Sequence, residues 1–266
     1  MRITFLVNLD LYSNYALNLL LPTLSEQHAL NIFFSSHVGS APQSPALRQL
    51  TFFEQMLPNQ VLFPIIDQSE QQGELLTFAG LSKYLVAPME ALNDPNSAIG
   101  LNQLQLTRPE LVISIRYGCI LQAAAITIPT LGVMNLHSGK LPEYRGVMAT
   151  FRAMLNNDYE IFITLHWIND PSIDAGPVIS QQGVPRDPTR CYLGNVLSLY
   201  DVGCPAVLQA VETLNQKLAL NSIAAFGSGT YYSFPTESDI TRFCDAGHQW
   251  VEAESFSTLL SRFSAI

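Results

Sequence analysis

"MNLHSGKLPEYRG" (134–146) follows the apolar segment "TIPTLGV" (127–133) and ends in a glycine ahead of a helical-looking stretch. It reads as the end of a β-strand plus a loop, the place where ligands collect in open α/β sheets. Outward from it, short apolar runs alternate with helical patterns. "ITFLVN" (3–8) precedes a helix over 14–29, "NIFFSSHV" (31–38) one over 45–57, and "VLFPII" (61–66) one over 74–86. "ELVISIRY" (110–117) and "LGVMNLH" (131–137) come next, then a helix over 147–157, "EIFITLHWI" (160–168), "GPVISQQGV" (176–184) and a long helical stretch over 189–218. Such alternation predicts an α/β fold with a mostly parallel sheet flanked by helices.

The chain has 266 residues, 48% of them hydrophobic, enough for one large domain with a small appendage. Its formal charge is −9, and its lysines are Lys83, Lys140 and Lys217. That balance argues against a nucleic-acid partner or an anionic membrane surface, both of which call for clustered cations. Cys119, Cys191, Cys204 and Cys244 are widely spaced without a CxxC pair, so neither a metal cage nor a disulfide framework is expected. They suit buried thiols of a cytoplasmic protein. Asn8, Asp10, Asn14 and Asn18 interrupt the apolar N-terminus before signal-peptide or membrane length is reached.

"GSAPQSP" (39–45) and "NDPNS" (93–97) are expected loops. We expect one unit over 1–215 and a small C-terminal subdomain over 216–266. In the latter, "FPTESDITRFCDAG" (234–247) carries Thr236 as N-cap, Asp239 as its reciprocal partner and Gly247 as a stop.

Asn135 and His137, two residues apart on a strand, point to the same face. An imidazole can shuttle a proton and a carboxamide N–H can donate to a developing oxyanion. The pair lacks an anion. Asp174 is the best candidate, because "NDPSIDAGPVI" (169–179) joins two expected strands and Ala175-Gly176 permits a tight turn. Together the three suit acyl transfer without a protein-bound acyl group, and no GxSxG elbow is present. Each residue also has a plain structural reading. Asn-x-His can be a satisfied turn, and His166 reads by default as a half-buried core histidine. His28, His37 and His248 read as surface or loop residues. Arg116 and Tyr117 could be an ion pair and a packing ring, Lys140 and Arg145 solvated loop charges.

"GVMNLHSGKLPEYRG" (132–146) followed by "FITLHWINDPSIDAGPVISQ" (162–181) resembles the signature of the 10-formyltetrahydrofolate-dependent formyltransferases. Asp174 falls 37 residues after His137 (174 − 137), and "ISIRYGCIL" (113–121) is similar to the family's preceding strand and loop. The resemblance runs from about Arg108 to Pro185. It implies a Rossmann-like catalytic domain in which His137 takes a proton from the attacking amine, Asn135 hydrogen-bonds the oxyanion and Asp174 orients the imidazole. It further implies that 10-formyltetrahydrofolate, with no metal, is held by Tyr117, Gly118, Cys119, Ile120, Leu121, Asn169 and Asp170. One departure is Phe162, where many relatives carry glycine.

Within the family the wording of the loop is closest to the sugar N-formyltransferases of bacterial surface polysaccharides such as the lipopolysaccharide O-antigen. A tRNA acceptor is disfavoured by the acidic tail. A purine acceptor is disfavoured by "NLDLYSNYA" (8–16), which has no glycine for a phosphate loop. The resemblance therefore implies a nucleotide-linked amino-deoxysugar, with Arg116, Lys140, Tyr144 and Arg145 as the acceptor-binding residues. Formylation of another small amine, or folate binding without turnover, are the alternatives. The oligomeric state stays open, a homodimer being one outcome.

Overall fold

The computed structural model describes residues 1–36, 44–69, 73–224 and 229–264. Its first strand is β1 (Arg2–Asn8), with Ile3, Phe5 and Val7 in one core and Leu6 in a second core on the opposite face. Burial at period two on both faces marks a central strand. In chain order there follow α1 (Leu11–Ser25), β2 (Ala29–Ser35), α2 (Pro45–Thr51), α3 (Phe63–Asp67), α4 (Phe78–Leu81), β3 (Glu90–Ala91) and α5 (Ala98–Leu106). Next come β4 (Leu111–Ile115), α6 (Ala123–Ile126), β5 (Gly132–His137), β6 (Tyr144–Gly146), α7 (Ala149–Leu155), β7 (Glu160–Ile168) and β8 (Val178–Pro185). The chain continues through α8 (Tyr192–Asn215), β9 (Thr230–Tyr232), α9 (Glu237–Asp245) and α10 (Ala253–Ser261).

Seven strands form one sheet in the order β3-β2-β1-β4-β5-β7-β8. The first five run parallel, while β7 and β8 join antiparallel. Helices α1 and α8 cover one face together with α7, α9 and α10, and α5 and α6 contribute Leu104, Ala125 and Ile126 to the other. This is the α/β, mostly parallel architecture expected, with an antiparallel edge.

Several expectations need correction. "VLFPII" is helical: two π-type turns, Phe52–Met56 and Pro58–Leu62, lead into α3. Glu54, Pro58 and Phe63 are buried there while Val61 and Ile65 lie in solvent, a helical spacing. Pro58 and Pro64 stand in the first turn of the second π-type turn and of α3. The helix expected over 74–86 shrinks to α4 and a single 3₁₀ turn, Ser82–Tyr84. Helix α5, capped by Ser97, was not anticipated, nor was the small β6–β9 sheet. His37 and most of the 39–45 loop lie outside the described residues.

In the tail, Thr236 and Asp239 form the expected capping box, and Gly247 takes φ +82°. Phe243 and Trp250 pack on Phe151 of α7, with ring centroids 4.9 and 5.4 Å away. The proposed boundary at 215/216 thus coincides with the end of α8, while the aromatic side chains beyond it share the main core. Among the described residues no helix is long and apolar enough to cross a membrane.

Candidate active site

Strand register builds the site. Ser114 on β4 pairs with Asn135 on β5, which pairs in turn with His166 on β7, so three polar side chains stand in a row on one face. The positions before them on that face, such as Val112 and Val133, are apolar core. The row lies at the carboxyl ends of β4 and β5, where the sheet opens into a cavity of about 790 Å³ lined by all three, His137 and Asp174.

Asp174 reaches the row because its backbone takes the left-handed conformation, φ +49°. Gly176 allows the loop to approach β7 closely, since a Cβ there would stand 1.8 Å from the Trp167 carbonyl oxygen. The carboxylate is then shared. Oδ2 lies 3.5 Å from His137 Nδ1 and accepts from the Gly146 N–H at 2.9 Å. Oδ1 lies 3.4 Å from His166 Nε2 and 3.3 Å from Asn135 Nδ2. Burial alone would raise the Asp174 pKa, but the charges of His137 and His166 and the Gly146 N–H outweigh it and hold it well below the usual carboxylate range.

The structure brings the three expected catalytic residues together and adds His166, whose side chain is 2% exposed. Its signal in the sequence was only its place on the strand that follows the Asn-x-His strand. The His137 ring has Nε2 2.8 Å from the Tyr144 carbonyl oxygen and Nδ1 facing Asp174. Both neighbours accept hydrogen bonds, so a neutral ring can satisfy only one.

Arg116 (φ +58°) turns toward α1. Its Nε donates to Asp10 Oδ2 at 2.7 Å, and its guanidinium lies 4.3 Å from the Tyr12 ring centroid. Burial works against its charge, but Asp10 leads the groups that hold it firmly protonated. Tyr12 donates to Glu54 Oε1 at 2.6 Å, and burial pushes the Glu54 carboxyl up to about 7 against the pull of Arg116. Arg116 and Glu54 both line the cavity.

Tyr117, Gly118, Cys119, Ile120 and Leu121 also line it, as does Asp170, but Asn169 does not. Asn96 braces this loop, donating to the Ile120 carbonyl at 2.9 Å and accepting from the Gln122 N–H at 2.8 Å. Lys140, Tyr144 and Arg145 are not among the lining residues. Lys140 pairs with Glu143 at 2.9 Å and sits 5.3 Å from the Phe162 ring centroid. Tyr144 points its hydroxyl at Asp158, and Arg145 donates to the Ile173 carbonyl at 2.9 Å. Pairing of β6 with β9 sets these directions, which a loop reading could not supply. Among the described residues no group of three or more His, Cys, Asp or Glu could hold a metal ion.

Residues 87–191 match the family described as "Formyl transferase". A methionyl-tRNA formyltransferase of Moorella thermoacetica is 35% identical over 128 residues, covering 48% of this chain and 40% of its own length. The chain thus spans less than half of that relative. A sugar N-formyltransferase from a Shewanella species has TM-score 0.58 at 15% identity, covering 98% of this chain and 88% of that one. The Helicobacter canadensis N-formyltransferase, solved with folinic acid and dTDP-3-aminofucose, has TM-score 0.55 at 14% identity, covering 90% and 72%. At such identity these two likenesses speak to the fold. The span that matches the formyl transferase family, residues 87–191, contains Asn135, His137, His166 and Asp174.

Proposed function

We propose that this chain transfers a formyl group from 10-formyltetrahydrofolate to the amine of a small acceptor, and that the acceptor is a nucleotide-linked amino-deoxysugar. The observation that carries the reading is the meeting of Asn135, His137 and Asp174 on a cavity whose wall continues into the 117–121 loop. Its volume lies within the range of small-molecule sites. Its peptide-rich loop suits the donor and acceptor edge of a pterin.

The folate supplies an electrophilic formyl carbon. The acceptor nitrogen forms the new C–N bond, the folate nitrogen keeps the electron pair of the bond that breaks, and one proton passes between them through the protein. His137 takes that proton once Nε2 leaves the Tyr144 carbonyl, and ionised Asp174 favours the resulting imidazolium. Asn135 meets the formyl oxygen as charge develops on it.

The sugar reading is supported by the wording of the 134–146 loop and by the ligands of the Helicobacter canadensis relative. A phosphate-free amine is the second reading. It is favoured by Arg116, the one Lys or Arg among the described lining residues, being already matched by Asp10. Incubation with 10-formyltetrahydrofolate and a dTDP-linked amino-deoxysugar should release tetrahydrofolate and add one formyl group to the sugar by mass spectrometry, leaving methionyl-tRNA and glycinamide ribonucleotide unchanged. Formylation of simple amines with every nucleotide sugar inert would transfer the reading to the second class.

A further inference from the structure

We infer that the Arg116 guanidinium and the Glu54 carboxylate together form a hydroxyl-binding subsite at the acceptor end of the cavity. That the hydroxyl belongs to the formyl acceptor rests on the formyl-transfer reading; the subsite itself does not.

In "TFFEQM" (51–56) the usual order of a surface helix is inverted: Phe52 and Met56 are exposed while Glu54 is buried. Glu54 lies in the π-type turn Phe52–Met56, a local widening of a helix that recurs at functional sites. Its side chain is 8% exposed, and a carboxylate is seldom buried so far unless its oxygens are paired. Oε1 is paired, accepting from the Tyr12 hydroxyl at 2.6 Å. Oε2 lies 3.9 Å from Arg116 Nη2, beyond hydrogen-bond reach. Neither atom is among the buried polar atoms left without a partner, and both residues line the cavity, so the two atoms face it. Burial outweighs the pull of Arg116 and lifts the carboxyl to about 7, in keeping with an oxygen still open to a donor.

The cavity crosses the carboxyl edge of the sheet: Leu121 belongs to the core on one face, Leu47 and Leu50 to the core on the other. With the 117–121 loop taken up by the pterin, the end walled by Leu47, Leu50 and Glu54 is left to the acceptor. A group seated between Oε2 and Nη2 must give a hydrogen to the first and take one from the second. An oxygen about 2.8 Å from each atom subtends nearly a right angle across their 3.9 Å separation, which a hydroxyl can meet. A phosphate oxygen cannot donate and is repelled by Glu54, while an ammonium cannot accept and is repelled by Arg116. The Arg116 charge is in any case answered by Asp10 at 2.7 Å. The subsite therefore selects an acceptor that carries a hydroxyl, and it turns a diphosphate away from this end.

The test follows the Glu54 carboxyl carbon of the full chain by ¹³C NMR at constant pH, with Glu54→Gln assigning the signal. A dTDP-linked amino-deoxysugar and the corresponding free amino sugar should each move it, whereas ethylamine, acetamide and inorganic phosphate should not. A signal unmoved by both sugars, or moved as far by the amine, the amide or phosphate, would overturn the inference. In turnover, Glu54→Gln keeps an oxygen for Tyr12 but turns an N–H toward Arg116, so the sugar KM should rise about tenfold or more at nearly constant kcat. Among analogues with each ring hydroxyl replaced in turn by hydrogen, one should show the same rise with the parent protein and no further rise with Glu54→Gln. A variant that weakens every analogue by the same factor would also overturn the inference. Formyl transfer is read separately, from product mass: a moved Glu54 signal without product removes that reading alone, and product with an unmoved signal removes the subsite alone.

Discussion

The guanidinium of Arg116 is tied to Asp10 by a 2.7 Å bond between residues 106 apart in sequence, and Asp10 is fully buried. The same carboxylate caps α1 by accepting from the Ser13 N–H at 2.7 Å. It therefore joins the start of α1 to the end of β4 beneath the cavity. Asp10→Ala should cost about 3 to 5 kcal/mol, because it strands a largely buried guanidinium as well as removing a cap. Asp10→Asn keeps the cap and should lose less. Urea unfolding of the two variants checks the order, and equal losses would mean that the charge pairing is unimportant.

Glu54 predicts a pH dependence of stability. Its carboxyl titrates near 7 in the folded chain against an ordinary value of 4.5. Between those values the native state holds the proton that the unfolded state has released, so this group makes stability fall as pH rises through that window. The contribution is on the order of 3 kcal/mol. Glu54→Gln, which still offers an oxygen to the Tyr12 hydroxyl, should flatten the change. Melting curves at about pH 5 and about pH 7.5 for both proteins decide it, and parallel shifts would remove Glu54 as the cause.

His137→Asn should lower turnover by about two to four orders of magnitude, and Asn135→Ala by about two to three, with melting temperatures close to the parent. The Asp174 carboxyl, held below the ordinary range, stays ionised through neutral and mildly acid pH. The stabilisation it brings is present above the unfolded carboxylate value and is lost only as pH falls toward the folded one. An acid limb in activity near neutrality should therefore not come from Asp174. Normal turnover in a folded His137→Asn protein would remove the proton-transfer role.

The strands that carry the site were legible because their apolar runs are buried on both faces, as in "ELVIS" and "GVMNL". "VLFPII" was not, since a six-residue apolar run fits a strand or a buried helix equally, and only the burial of Phe63 with Val61 and Ile65 in solvent separates the two. Asn135, His137 and Asp174 could be gathered from spacing and resemblance. The place of His166 depends on an antiparallel register between β5 and β7, set by packing rather than by local pattern. Phe162, a departure from the family wording, lies opposite Gly183 on β8, where a Cβ would come 2.7 Å from its ring. It is not among the cavity-lining residues.

The loop cations separate by what they touch. Lys140 is paired with Glu143 outside the cavity, so Lys140→Ala should leave the acceptor KM unchanged within about twofold. Arg145 holds the Ile173 carbonyl next to Asp174, so Arg145→Ala should lower kcat more than it raises KM. A rise in acceptor KM in both variants at constant kcat would instead make them phosphate ligands.

Gly139 offers the sharpest separation of stability from activity. A Cβ there would lie 2.4 Å from the Ala149 Cβ and 2.6 Å from His137 Nε2. Gly139→Ala should therefore cost about 1 to 3 kcal/mol through overpacking and also displace the imidazole. Adding Ala149→Gly removes the first clash at the start of α7 and leaves the second. The double variant should regain stability, apart from about 1 kcal/mol for glycine in a helix, while turnover stays about tenfold or more below the parent. Chemical denaturation and single-turnover rates measured on the same preparations give both answers. Recovery of both in the double variant would show that His137 tolerates the displacement and would weaken its claim to act on the reacting amine.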